Sequence, residues 1–216
     1  MMDWHPFLLE LFNEHVEIAR RLDELNQGAQ THHPWSALKD FFTYCENDIE
    51  GRHNLKEELF LFRAISGKAA IQAGGPLCML YFDMHLANHP LDRSAAACGT
   101  KRTNPDPKNV PAHLRTFFEE NTPVCIPTTD HLAATELTSR AKEILGGEQN
   151  ENALRELRFL ASVYIDLMKG HFEKENNCLL PMCHSILSVD DLDECARQCA
   201  DWVQEQPIEL PQFKQR

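Results

Sequence analysis

Apolar residues recur every three to four positions along four stretches of the chain, and each stretch predicts a helix. The first spans about 6–27, with Leu8, Leu11, Phe12, Ile18, Ala19, Leu22 and Leu25 on one side. Pro6 suits a first helical turn and Gly28 suits the exit. The second spans about 34–66 and carries Leu38, Phe41, Phe42, Cys45, Ile49, Phe60, Leu61 and Ile65 on its stripe. The third spans about 128–145, with Ala134, Leu137, Ala141, Ile144 and Leu145. Thr128 or Thr129 is its expected N-cap, and Gly146-Gly147 its stop. The fourth spans about 150–187, through Leu157, Leu160, Ala161, Tyr164, Leu167, Met168, Leu179 and Met182. Pro181 is expected to kink it or end it early. A further amphipathic helix is expected over about 190–204.

Residues 67–127, between the second and third helices, read differently. Gly74-Gly75-Pro76, Asn104-Pro105-Asp106-Pro107, Pro111, Pro123 and Pro127 are turn chemistry, with room for helices over about 77–97 and 112–120. No stretch shows the alternation of a strand. The expected fold is therefore all-α: an up-down four-helix bundle with a long insert between helices two and three and an extra C-terminal helix. Residues 1–206 form one domain in this reading, with 207–216 as a loosely attached tail.

Charge and composition narrow the function. A formal net charge of -12 repels phosphate backbones and anionic lipid, which excludes nucleic-acid and membrane-surface roles. The start, Met1-Met2-Asp3-Trp4-His5-Pro6, lacks the basic region of a signal peptide, and no apolar run reaches membrane-spanning length, so a cytoplasmic protein is expected. Eight cysteines then read as reduced thiols. None forms a CxxC pair. Cys195 and Cys199, one helical turn apart beside Leu192, Ala196, Trp202 and Val203, read as core packing. Cys178 and Cys183 read as bystanders.

The sharpest signal is the set of polar residues that interrupt the apolar stripes. His15 falls between Leu11 and Ile18. His53 and Glu57 fall between Ile49 and Phe60. His131 precedes Ala134, and His171 and Glu175 fall between Met168 and Leu179. The i, i+4 spacing of each histidine–glutamate pair puts both side chains on one helix face. Buried imidazoles and carboxylates need partners, and a pair of divalent cations in a bundle core supplies them for all six groups together. The chain also repeats itself. Glu14-His15 opens one half and Asp130-His131 the other, and the two HxxxE motifs follow after 38 and 40 residues. A lone histidine on an apolar stripe is more often core than ligand, but the duplicated order of motifs points to metal. His5, His32, His33, His113 and His184 fall in turns or exposed stretches and receive no role.

This pattern resembles the hemerythrin-like, HHE cation-binding family over about residues 6–66 and 128–187. The resemblance implies that His15, His53, Glu57, His131, His171 and Glu175 hold two non-haem irons, with the two glutamates bridging them. Mixed imidazole and carboxylate ligands suit iron, and a thiolate-poor set argues against structural zinc. Manganese or a mixed-metal pair stays open. The chain departs from the family in the length of its insert. There, residues 75–85 also resemble the start of the family's third helix, which makes His85 a rival to His131. Only His85 or His89 could supply the further third-helix histidine of the oxygen carriers. Two functions follow as expectations. One is binding of dioxygen, nitric oxide or peroxide for sensing, storage or stress response. The other is a diiron oxygenase or oxidase acting on a small organic substrate, in a pocket walled by Met79, Tyr81, Phe82, Met84, Phe117 and Phe118. A purely structural helical domain is the third reading.

Overall fold

The computed structural model describes residues 4–29, 33–68, 110–119 and 124–205, and their regular structure is helical throughout. Helix α1 runs Pro6–Gly28, with the His5 ring at its N-cap accepting from the Phe7 N–H at 3.3 Å. A second rod runs unbroken over residues 34–66. It comprises α2 (Pro34–Tyr44), π-helical segments at Cys45–Asn54 and Glu57–Leu61, and α3 (Phe62–Ser66). A 3₁₀ turn at Ala112–Leu114 leads into the short α4 (Arg115–Glu119). Helix α5 is Cys125–Leu145. A last long rod joins α6 (Glu151–Lys174), a π-helical segment (Glu175–Leu179) and α7 (Leu180–Ile186), and α8 (Val189–Glu205) follows. No described helix is long and apolar enough to cross a membrane.

Two details differ from expectation. Helix α5 begins three residues before Thr128. Thr128 and Thr129 lie inside it, and their hydroxyls donate back to the carbonyls of Val124 (2.7 Å) and Cys125 (2.6 Å). Pro181 does not end the last rod, which continues to Ile186. The π-helical turn just upstream already leaves a carbonyl without its usual i+4 donor, so a missing proline N–H costs less there. Expectations for a helix over 77–97, for His85, His89, Met79, Tyr81, Phe82 and Met84, and for the tail lie outside the described residues.

The packing follows from the stripes. Helix α1 touches the second rod and α6, and α5 touches the same two. The buried apolar residues form two separate clusters. One gathers Leu8 and Leu11 of α1, Phe60 to Ile65 of the second rod, Val124, and Leu179 to Cys183 of the last rod. The other gathers Ile18 and Leu22, Leu38 to Ile49, Ala134 and Ala141, and Leu157 to Met168. Each rod thus passes from one cluster to the other, and successive rods pass in opposite senses. Each fully buried leucine contributes roughly 1.5–3 kcal/mol. Helix α8 closes the first cluster, burying Cys195 and Cys199 and setting Trp202 against Phe60 at 6.0 Å between ring centroids. Between the clusters every rod carries a polar interruption.

Candidate metal centre

The interruptions meet. His15 comes from α1, His53 and Glu57 from the second rod, His131 from α5, and His171 and Glu175 from the last rod, each no more than 3% exposed. They form two overlapping sets able to hold a metal ion: His15, His53, Glu57 and Glu175, and Glu57, His131, His171 and Glu175. Within each set the ligand atoms lie within 4.8 Å of one another, and both carboxylates belong to both sets. Each glutamate is the first residue of a π-helical segment, the kind of widened turn that recurs at functional sites.

The inward atoms are short of partners. His131 Nε2 and His171 Nε2 face each other at 3.1 Å. His15 Nε2 stands 3.4 Å from Glu57 Oε1. Glu175 Oε2 stands 3.1 Å from His171 Nε2 and 3.3 Å from His15 Nε2. Neither of the last two approaches has the direction of a hydrogen bond. Both Glu175 oxygens, Glu57 Oε2 and His53 Nε2 have no hydrogen-bond partner among the described residues. Buried carboxylates left in that state cost several kcal/mol each, and a cation between them removes the cost. No cysteine belongs to either set. Burial holds the Cys45 and Cys183 thiols well above their usual range, which keeps them protonated.

The outward atoms, by contrast, are all held. His53 Nδ1 meets Glu14 Oε2 at 2.8 Å, His131 Nδ1 meets Glu58 Oε1 at 2.7 Å, and His171 Nδ1 meets Asp130 Oδ2 at 3.4 Å. His15 Nδ1 meets Asn176 Oδ1 at 2.7 Å. Carboxylate and amide oxygens only accept, so each Nδ1 is the donor, and Nε2 is left as the atom that can face a metal. Lys56 braces Glu14 at 2.5 Å, Lys174 braces Asp130 at 2.6 Å, and His113 meets the second oxygen of Glu58 at 2.8 Å. Phe172 stacks on His15 at 4.5 Å and Phe62 on His131 at 5.7 Å between centroids, which keeps water from the rings.

The charges are mutually stabilised. Burial works against the charged forms of His171 and Glu175, yet the oppositely charged groups around each together outweigh it. The His171 imidazole is raised to about 10, with Asp130 assisting. The Glu175 carboxyl is lowered to about 2. Burial opposes His15 too, but Glu57 and Glu175 hold its ring above the usual histidine range. Glu58 and Asp130 stay below the usual carboxylate range against burial, through His113 and His131 and through His171 and Lys174 respectively.

The outer holders were missed by sequence reasoning. Glu14 and Asp130 stood out only as residues opening the two halves, and their partners lie 39 and 41 residues downstream. Glu58 and Asn176 each follow a candidate ligand glutamate but differ in type, so no repeated motif marks them. His113 was assigned no role, yet it is held by Glu58 beside the centre.

No family model matches this chain, and no curated protein or solved structure matches it.

Proposed function

We propose that this chain is a hemerythrin-like four-helix bundle that holds two non-haem irons and binds dioxygen or a related small ligand, nitric oxide or peroxide, for sensing, storage or stress response. One observation carries the reading: two sets of two histidines and two glutamates that share both glutamates, with inward oxygens lacking partners. The alternating sense of the four rods supports the up-down bundle.

The residues divide the work. Glu57 and Glu175, common to both sets, would be shared by the two cations. His15 and His53 serve one position, and His131 and His171 the other. Glu14, Glu58, Asp130 and Asn176 fix the tautomer and direction of each ring. Phe62 and Phe172 exclude water beside the centre. Two imidazoles and two shared carboxylates would hold each iron, which would supply electrons and a seat for a small ligand.

Protein purified without added metal is expected to contain about two irons per chain and to show a visible or near-ultraviolet band after exposure to air. His171→Ala and Glu175→Ala are each expected to lose most of the iron, since removing one ligand strands the remaining buried ones. Elemental analysis with optical spectroscopy checks this. Full iron in either variant, or a wild-type protein that takes up neither iron nor manganese, would end the proposal.

A further inference from the structure

Behind two of the four histidines the halves of the centre match. Glu14 and Asp130 occupy equivalent places behind His53 and His171, and a lysine braces each. Behind the remaining two histidines the equivalence fails. His131 leans on the Glu58 carboxylate, itself fixed through its other oxygen by His113. His15 leans on the Asn176 amide at the same 2.7 Å. A carboxylate behind Nδ1–H brings a full negative charge and makes the imidazole a stronger donor at Nε2, whereas an amide brings only a dipole. The Asp130 contact, at 3.4 Å, is longer than the 2.8 Å contact of Glu14, which works the other way. That is a difference of length between two anions. The difference between Glu58 and Asn176 is a whole charge, and it decides the balance.

Solvent access points in the same direction. An open cavity of about 470 Å³ lies between α1 and the second rod, and its wall includes Glu14, Tyr44, Arg52 and His53. Of the four histidines, its wall includes His53 alone, the ring held at Nδ1 by Glu14. The stacked rings do not distinguish the sides, since Phe172 covers His15 as Phe62 covers His131.

From these two observations we infer that the two ion positions are inequivalent: the one formed by His131 and His171 holds its ion firmly, and the one formed by His15 and His53 exchanges it. The inference rests on the two-metal reading above. It makes Asn176 and Glu58 positioning residues that set which ion leaves, and it places exchange beside the cavity.

The test uses the full-length protein, stripped of metal and given one equivalent of Fe²⁺ without oxygen. Anomalous scattering from crystals then locates the ion. The ion is expected between His131 and His171, and calorimetry is expected to give dissociation constants for the two equivalents that differ about 10–100-fold. A chelator added to the fully loaded protein should remove one equivalent ahead of the other. The double substitution Glu58→Gln with Asn176→Asp moves the charge across the centre, and the first equivalent should move with it to His15 and His53. Equal occupancy at one equivalent, or wild-type preference for His15 and His53, overturns the inference while leaving the two-metal reading intact. Wild-type protein that binds fewer than two equivalents in all defeats that reading, and the inference with it. Should the double variant fail to fold, the wild-type location alone decides.

Discussion

Glu50 is a half-buried carboxylate outside the six candidate ligands. Tyr164 donates to one of its oxygens at 3.2 Å and Thr138 to the other at 3.0 Å. Burial outweighs both hydrogen bonds and pushes the carboxyl up to about 7. An unfolded chain releases that proton near the ordinary glutamate value, so between roughly pH 4.5 and 7 the unfolded state binds fewer protons than the folded one. Stability therefore falls as pH rises through this window and levels off above it. Glu50→Gln keeps an acceptor for one hydroxyl, sets an NH₂ donor before the other, and removes the charge. In metal-free protein its stability relative to wild type should rise by on the order of 1–3 kcal/mol between pH 4.5 and 7.5, measured by urea unfolding. A difference that does not change with pH would mean that the carboxylate is solvated. At this scale the sequence was legible where chemistry coincided with periodicity. His15, His53, Glu57, His131, His171 and Glu175 each break an apolar stripe, and a stripe fixes direction. Glu50, Glu14 and Glu58 look like ordinary helix-surface acids in a chain with 33 of them, and only the neighbouring rods distinguish them.

The helical elements carry a feature that the 3.6-residue pattern could not reveal. The second rod widens into π-helical turns at Cys45–Asn54 and Glu57–Leu61, and the last rod does so at Glu175–Leu179. Apolar spacing tolerates one extra residue per turn, so the stripes of these rods stay legible while the widening is invisible. The same tolerance hid the start of α5 and the passage of the last rod through Pro181. Gly51 marks the cost of the widened turn. A Cβ at this position would stand 3.0 Å from the Glu46 carbonyl oxygen, a backbone atom of the turn itself. In an ordinary helix, replacing glycine by alanine gains about 1 kcal/mol. Here Gly51→Ala is expected to forgo that gain and to destabilise by about 1 kcal/mol instead. Thermal unfolding measures it, and a raised melting temperature would show that the turn relaxes freely.

In the molecule as a whole, two dry clusters enclose one charged layer. Their alternation along the rods was readable from the stripes, because each polar interruption sits between apolar runs. Ions bound in the charged layer would raise stability. At a free metal concentration 100–1,000 times the dissociation constant, binding stabilises the folded state by about 2.7–4.1 kcal/mol per site. Stripping the metal should therefore lower the melting temperature by several degrees or more, and re-addition should restore it. An unchanged melting temperature would mean that the six groups satisfy one another. The brackets behind the rings also cross between the halves. His15 is held by Asn176, 161 residues further along the chain, and His131 by Glu58, 73 residues back. A nascent polypeptide leaving the ribosome from its first residue thus has no finished seat for a cation until the rod bearing Glu175 has been synthesised and docked. Ion capture would then belong to the close of maturation, and a product ended before residue 175 would carry a His15 ring with nothing behind it.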